Sequence, residues 1–135
     1  MSARRKARKR ALDFLYEADI RKSSALELYS TRPAEELSEG EYVGILLNGV
    51  AEHASKIDEL IITYAQGWDL DRMPSIDRNL LRIALFEILW TDPLDDKIAV
   101  SEAVALAKEL STDESAGYIN GVLGRIIALK PSLAL

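Results

Sequence analysis

From Leu80 to Trp90 the chain is apolar on nearly every side of a helical projection, with only Arg82 and Glu87 interrupting the run. A helix of that kind has no face to give to water, so other elements must pack around it on most sides. Glycine and proline are few, and no segment alternates apolar and polar residues between turn signals, so strands have little support and the surrounding elements are expected to be helices.

The remaining segments carry helical spacing. Ala7, Ala11, Phe14, Leu15 and Ala18 form one apolar stripe and predict a first helix over about residues 3–22. Ser24-x-x-Glu27 and Ser38-x-x-Glu41 have capping-box spacing, in which side chains satisfy free backbone N–H groups at a helix start. They predict a short second helix and a long third one. Leu46, Leu47, Val50, Ala54, Ile57, Leu60, Ile61 and Tyr64 extend the third into the longest core-facing helix, with a bend expected near Gly49. Pro74 suits the first position of the next helix, where its missing N–H has no intrahelical partner. Asp92-Pro93 ends that helix, and Asp95 or Asp96 caps another with Val100, Ala103, Leu106, Ala107 and Leu110 inward. A last helix follows Ser111-Thr112-Asp113 and turns Ile119, Val122, Leu123, Ile126 and Ile127 to the core before Pro131. Six or seven short helices with brief connections imply a compact all-α fold, more globular than a four-helix bundle. With 135 residues, 48% of them apolar, the chain is expected to form one domain over 1–135.

Charge is distributed unevenly. Six of the seventeen Lys and Arg residues fall in the first ten positions, where there is no acid, and the rest of the chain carries eleven basic against twenty-two acidic side chains. A basic N-terminal arm, residues 1–10, thus precedes an acidic body that resists non-specific coating by nucleic acid. The absence of cysteine excludes disulfides, thiol nucleophiles and cysteine-ligated metals, and suits a reducing cytoplasm. Asp13, Glu17 and Asp19 break the hydrophobic pattern after the basic block, which is therefore no secretory signal. No run approaches the roughly 20 apolar residues that span a bilayer, so a cytoplasmic location with no membrane is expected.

At 100° per residue Arg5, Lys9, Leu12 and Tyr16 share a strip about 60° wide, opposite the Ala7–Ala11–Ala18 stripe. Cations leading to an exposed ring suit single-stranded RNA, because cations neutralise phosphates and rings stack on unpaired bases. The alternative, a solvated terminus with Tyr16 as half-buried packing, stays open. His53, the only histidine, is expected to be an ordinary boundary residue, and Asp95-Asp96 and Asp113-Glu114 to serve helix starts. No motif supports catalysis, a cofactor or a metal site. Gly117, Gly121 and Gly124 on the last helix are expected to admit a neighbouring backbone, with a ligand on the glycine face as the alternative. Tyr118 points either outward to stack or inward to pack.

Four segments together resemble the NusB family of transcription antitermination factors: Ala3-Arg4-Arg5-Lys6-Ala7-Arg8 leading to Leu15-Tyr16, then Ile76-Asp77-Arg78-Asn79-Leu80-Leu81-Arg82-Ile83-Ala84-Leu85-Phe86-Glu87, Val100-Ser101-Glu102-Ala103-Val104-Ala105-Leu106-Ala107-Lys108, and Tyr118-Ile119-Asn120-Gly121-Val122-Leu123. The resemblance covers essentially the whole chain. It implies an all-helical fold of two small subdomains and a non-catalytic factor. Such a factor binds single-stranded boxA RNA of ribosomal-RNA leaders together with NusE, a small-subunit ribosomal protein, within the RNA polymerase antitermination complex. Position by position it implies RNA contacts at Arg4, Arg5, Lys6, Arg8, Tyr16, Arg82 and Tyr118, and the helical strip adds Lys9. It assigns acidic positions near the partner contact to Asp77 and Glu114. Ser101 and Gly117 depart from the family pattern, Gly117 standing where a basic residue is common, so one phosphate contact is expected to be missing. Monomer and homodimer both stay open. Two other classes remain beside this one, a helical protein–protein scaffold and an accessory domain of an RNA-modifying enzyme.

Overall fold

The run that has no polar face forms the axis of the molecule. In the computed structural model, which describes residues 2–32, 40–91 and 95–135, it is the helix α5 (Ser75–Trp90), and Leu80, Leu81, Ile83, Ala84, Leu85, Phe86 and Ile88 are all buried on it. The described residues hold α1 (Ala3–Arg21), α2 (Ala25–Ser30), α3 (Gly40–Glu52) and α4 (Ala54–Tyr64) before α5. After it come α6 (Asp96–Leu110), α7 (Asp113–Leu129) and a 3-10 turn, Lys130–Ser132. The helices α1, α2 and α3 pack on one another, as do α4 to α7, and α1 and α3 both lie against α5. One apolar core runs through both groups. Full burial of each large core side chain contributes about 1.5–3 kcal/mol.

Helix ends follow the short polar residues that satisfy free N–H groups. Ser2, Ser24, Asp95 and Thr112 cap α1, α2, α6 and α7, accepting from the backbone N–H of Arg5, Glu27, Lys97 and Ser115. Lys22 closes α1 in the left-handed region at φ 53°, and Pro74, expected as the first helical residue of α5, stands one position earlier as its N-cap. The Ser38 cap and the Asp92-Pro93 stop lie outside the described residues.

Two expectations are corrected. The long third helix is divided, with the break at His53 (φ −105°, ψ 16°) and not near Gly49. The His53 ring stacks on Trp90 with centroids 4.0 Å apart and planes 9° from parallel, and lies 6.2 Å from Phe86. The break thus falls at the residue whose ring packs on the aromatic end of α5. Gly49 serves close packing instead, since a Cβ there would stand 2.1 Å from Cε1 of Phe86. Its missing side chain lets α3 close on α5. The second correction concerns Gly117, Gly121 and Gly124, which face solvent with nothing within 4 Å of an added Cβ. Among the described residues no backbone approaches them, and the family's basic position at 117 is open surface.

Candidate nucleic-acid interface

The basic block is not a free arm, because residues 3–10 form the start of α1 and one side of that segment is buried. Arg8 is 3% exposed. Its guanidinium forks onto Glu87, Nε to Oε1 at 2.8 Å and Nη2 to Oε2 at 2.9 Å, and Nη1 donates to Glu102 Oε1 at 3.1 Å. Tyr42 Oη donates to the same Glu87 at 2.5 Å. Burial and that anionic acceptor push the Tyr42 hydroxyl up to about 12. Arg8 therefore ties α1 to α5 and α6 from inside, and the expectation that it meets phosphate is corrected for this geometry. Bidentate pairing with buried carboxylates suits the planar arginine fork.

The other cations of the block lie further out. Arg4 is exposed and stacks over the Tyr42 ring, 3.8 Å from its centroid, lidding the buried network. Arg5 pairs with Glu102, its Nε donating at 2.8 Å. Lys9 Nζ donates to Glu109 Oε1 at 2.7 Å. Lys6 is exposed and makes no ion pair among the described residues. Arg10 lies over Phe14 at 5.4 Å. The predicted strip of Arg5, Lys9, Leu12 and Tyr16 is thus split: Leu12 is in the core, Arg5 turns to α6, and Lys9 and Tyr16 border the outward face. Along that face Lys6, Lys9, Arg10, Asp13 and Tyr16 follow one another, and it ends in a groove of about 420 Å³ where Arg10, Phe14, Tyr16, Ile20 and Arg32 meet. Tyr16 is 41% exposed, enough ring to offer a base. Arg32, whose guanidinium lies 5.8 Å over Phe14, is missed by sequence reasoning because no motif surrounds it.

Arg82 is a strut. Its Nε and Nη2 donate to the two oxygens of Asp58 on α4, at 2.9 and 3.1 Å, and Nη1 donates to Asn79 at 3.0 Å. Beside it Asp19 of α1 accepts from Ser75, Arg78 and Asn79 at 2.7–2.9 Å. Burial alone would raise the Asp19 carboxyl, but those hydrogen bonds outweigh it and hold the group below the usual carboxylate range. Asp19 and Asp58 are the acidic partners that sequence reasoning misses, since nothing local pairs them with α5.

Tyr118 belongs to a second groove, of about 370 Å³, lined by Gly67, Trp68, Thr112, Glu114, Ser115 and Tyr118. Its ring meets Trp68 edge-on at 4.4 Å, and its hydroxyl donates to the Gln66 carbonyl at 2.7 Å. Burial raises that hydroxyl above its ordinary value. Glu114 is exposed on the rim. Asp77 is fully buried beneath, one carboxylate oxygen accepting from Ser115 at 2.8 Å and the other without a hydrogen bond among the described residues. Asp77 is thus placed to brace the start of α7 against α5, with no surface of its own. Tyr16, Arg82 and Tyr118 do not touch, and the two grooves share no lining residue. Between α1 and the loop that follows Trp68, Arg78 reaches from Asp19 to the carbonyls of Leu70 and Met73.

Comparison with known proteins decides the lineage. The NusB family model matches residues 5–128. Transcription antitermination protein NusB of an Arthrobacter species is 54% identical over 134 residues, covering 98% of each chain. The chain belongs to the NusB family. The corresponding NusB protein of a Nocardioides species is 51% identical over 135 residues, covering 99% of this chain and all of that one. Among solved structures, T. maritima NusB superposes with a TM-score of 0.86 at 27% identity, covering 98% of this chain and 99% of that one. A chain from a crystal structure of antitermination factors NusB and NusE in complex with double-stranded RNA gives 0.82 at 26% identity, covering 95% and 98%. The all-α architecture expected from sequence is the family's fold.

Proposed function

We propose that the protein is a transcription antitermination factor that grips single-stranded boxA RNA of ribosomal-RNA leaders jointly with NusE, and so helps RNA polymerase elongate past termination signals. It does this in the cytoplasm as one NusB-like domain over 1–135, and no described helix is long and apolar enough to cross a membrane. The observation that carries the reading is the outward face of α1. There Lys6 makes no ion pair among the described residues, Arg10 stands over Phe14 and Tyr16 keeps an exposed face beside them, while Arg4, over Tyr42 on another side of α1, adds an exposed cation. Phosphates neutralise such cations and an unpaired base stacks on such a ring, whereas a duplex keeps its bases stacked on one another. The groove at Tyr118 and Glu114 provides a second ring on the same body. The relative crystallised with NusE and RNA makes that partner the natural one to test. Chemistry requires none of these residues to react, and the role is binding alone.

Fluorescence titration with boxA-like and scrambled RNA, each with and without NusE, tests the reading. Tighter binding of the boxA-like strand, strengthened further by NusE, is the expected outcome. Equal binding of both strands that NusE leaves unchanged would reduce the interaction to generic charge attraction and overturn the proposal.

A further inference from the structure

The cations at the start of α1 meet carboxylates of the same chain before they meet any phosphate. Lys9 Nζ is 2.7 Å from Glu109 Oε1, the lysine side chain 35% and the glutamate 44% exposed. Arg5 is similarly held by Glu102, but that carboxylate is 11% exposed and is shared with buried Arg8. The two pairs are therefore unlike. Glu102 sits inside the network that fixes α1, whereas Glu109 lies near the end of α6, in water, with Lys9 as its only ion-pair partner among the described residues. The hydrogen bond and charge of Glu109 raise the Lys9 ammonium above its ordinary range, so Lys9 stays charged and its charge is locally satisfied.

We propose that Glu109 is an internal competitor for RNA: its carboxylate occupies the place a phosphate would take on Lys9 and thereby sets the strength of binding at the α1 face. An ion pair this open to water adds little to folding, so the competitor is displaceable. A phosphate reaching Lys9 must exchange with it, and that exchange releases fewer condensed counterions than contact with a free cation. The arm's generic attraction for RNA is reduced accordingly, and more of the binding must come from the rings and the partner. This inference rests on the RNA-binding function proposed above and assigns a specificity role within it to a residue on α6.

Glu109→Gln tests it, because the amide keeps the shape and removes the charge. Asp71→Asn serves as a control, neutralising an exposed acid that makes no ion pair among the described residues. Affinity for a boxA-like and a scrambled strand is measured against salt concentration for the wild type and both variants, with thermal unfolding checked alongside. One additional phosphate contact steepens the log–log slope by about 0.7, equivalent to roughly a fivefold gain at 0.1 M salt relative to 1 M. The expected result is that gain for Glu109→Gln on both strands, at unchanged thermal stability, with Asp71→Asn leaving the slope as in the wild type. Equal slopes for Glu109→Gln and the wild type, or the same shift in both variants, would overturn the inference while leaving the RNA-binding function standing. Absence of RNA binding by the wild type would overturn that function and this inference with it.

Discussion

Replacing Arg8 with alanine is expected to destabilise the fold by about 3–5 kcal/mol, the effect of removing one partner from a buried ion pair. The size follows from what the change leaves behind. Glu87 is 1% exposed and would retain only Tyr42 and its position on α5, while Glu102 would lose its inner cation. Neither carboxylate has enough access to water to replace the guanidinium, so the cost is that of an unpaired buried charge. Lysine at position 8 would not restore the fold fully, because a single ammonium cannot reproduce the fork that bonds both oxygens of Glu87. Chemical denaturation of the wild type and Arg8→Ala measures the difference. A purely surface cation would leave the stability within the range of ordinary surface substitutions, about 0.5 kcal/mol, and that result would contradict the interior placement. The same burial means that deleting residues 2–10 removes Ala7 and Arg8 from the core along with the outer cations, so truncation does not isolate RNA contact.

Gly49→Ala is expected to cost about 1–3 kcal/mol or more, although alanine is the better helix former by about 1 kcal/mol. An added methyl would stand 2.1, 2.2 and 2.5 Å from three carbons of the Phe86 ring. Phe86 cannot swing away freely, since it is 7% exposed and lies between α3 and the His53–Trp90 stack. Separation of α3 from α5 is then the remaining route, and it opens the core at its centre. Thermal unfolding of Gly49→Ala, of Phe86→Leu and of the double variant checks this. The smaller side chain is expected to recover part of the loss, a coupling that two independent sites would not show. Strictly additive effects would mean that the steric account is wrong.

Much of the architecture is legible in the sequence because helical periodicity is local. The all-round apolar run of α5, the inward positions of α6 and α7, the cap at Ser24 and the helix starts near Asp95-Asp96 and Ser111-Thr112-Asp113 need only neighbours within a few turns to be read. What escapes such reading is long-range. The break at His53 falls where its ring meets Trp90, thirty-seven positions away, and the local spacing from Leu46 to Tyr64 carries no sign of it. The glycines of α7 raise the same difficulty in reverse, since a helical glycine signals close packing only if a neighbour is there.

The candidate site is legible in composition more than in geometry. The concentration of cations and the ring of Tyr16 are visible in the sequence, and the resemblance adds Arg82 and Tyr118. Which cations remain available is not visible there, because their partners Glu87, Glu102 and Glu109 lie some eighty to a hundred positions downstream. Folding converts one block of like residues into four kinds: Arg8 as an internal tie, Arg5 and Lys9 as paired cations, Arg10 as a cation over the Phe14 ring, and Arg4 and Lys6 as exposed ones.

That last division is the core of the account, and the salt dependence of boxA-like RNA binding tests it most directly. With Arg4→Ala and Lys6→Ala combined, the log–log slope is expected to become shallower by about 1.4, two phosphate contacts at about 0.7 each on a single strand, while the unfolding midpoint stays near that of the wild type. An unchanged slope in a fully folded double variant would show that the exposed cations at the start of α1 do not hold the RNA.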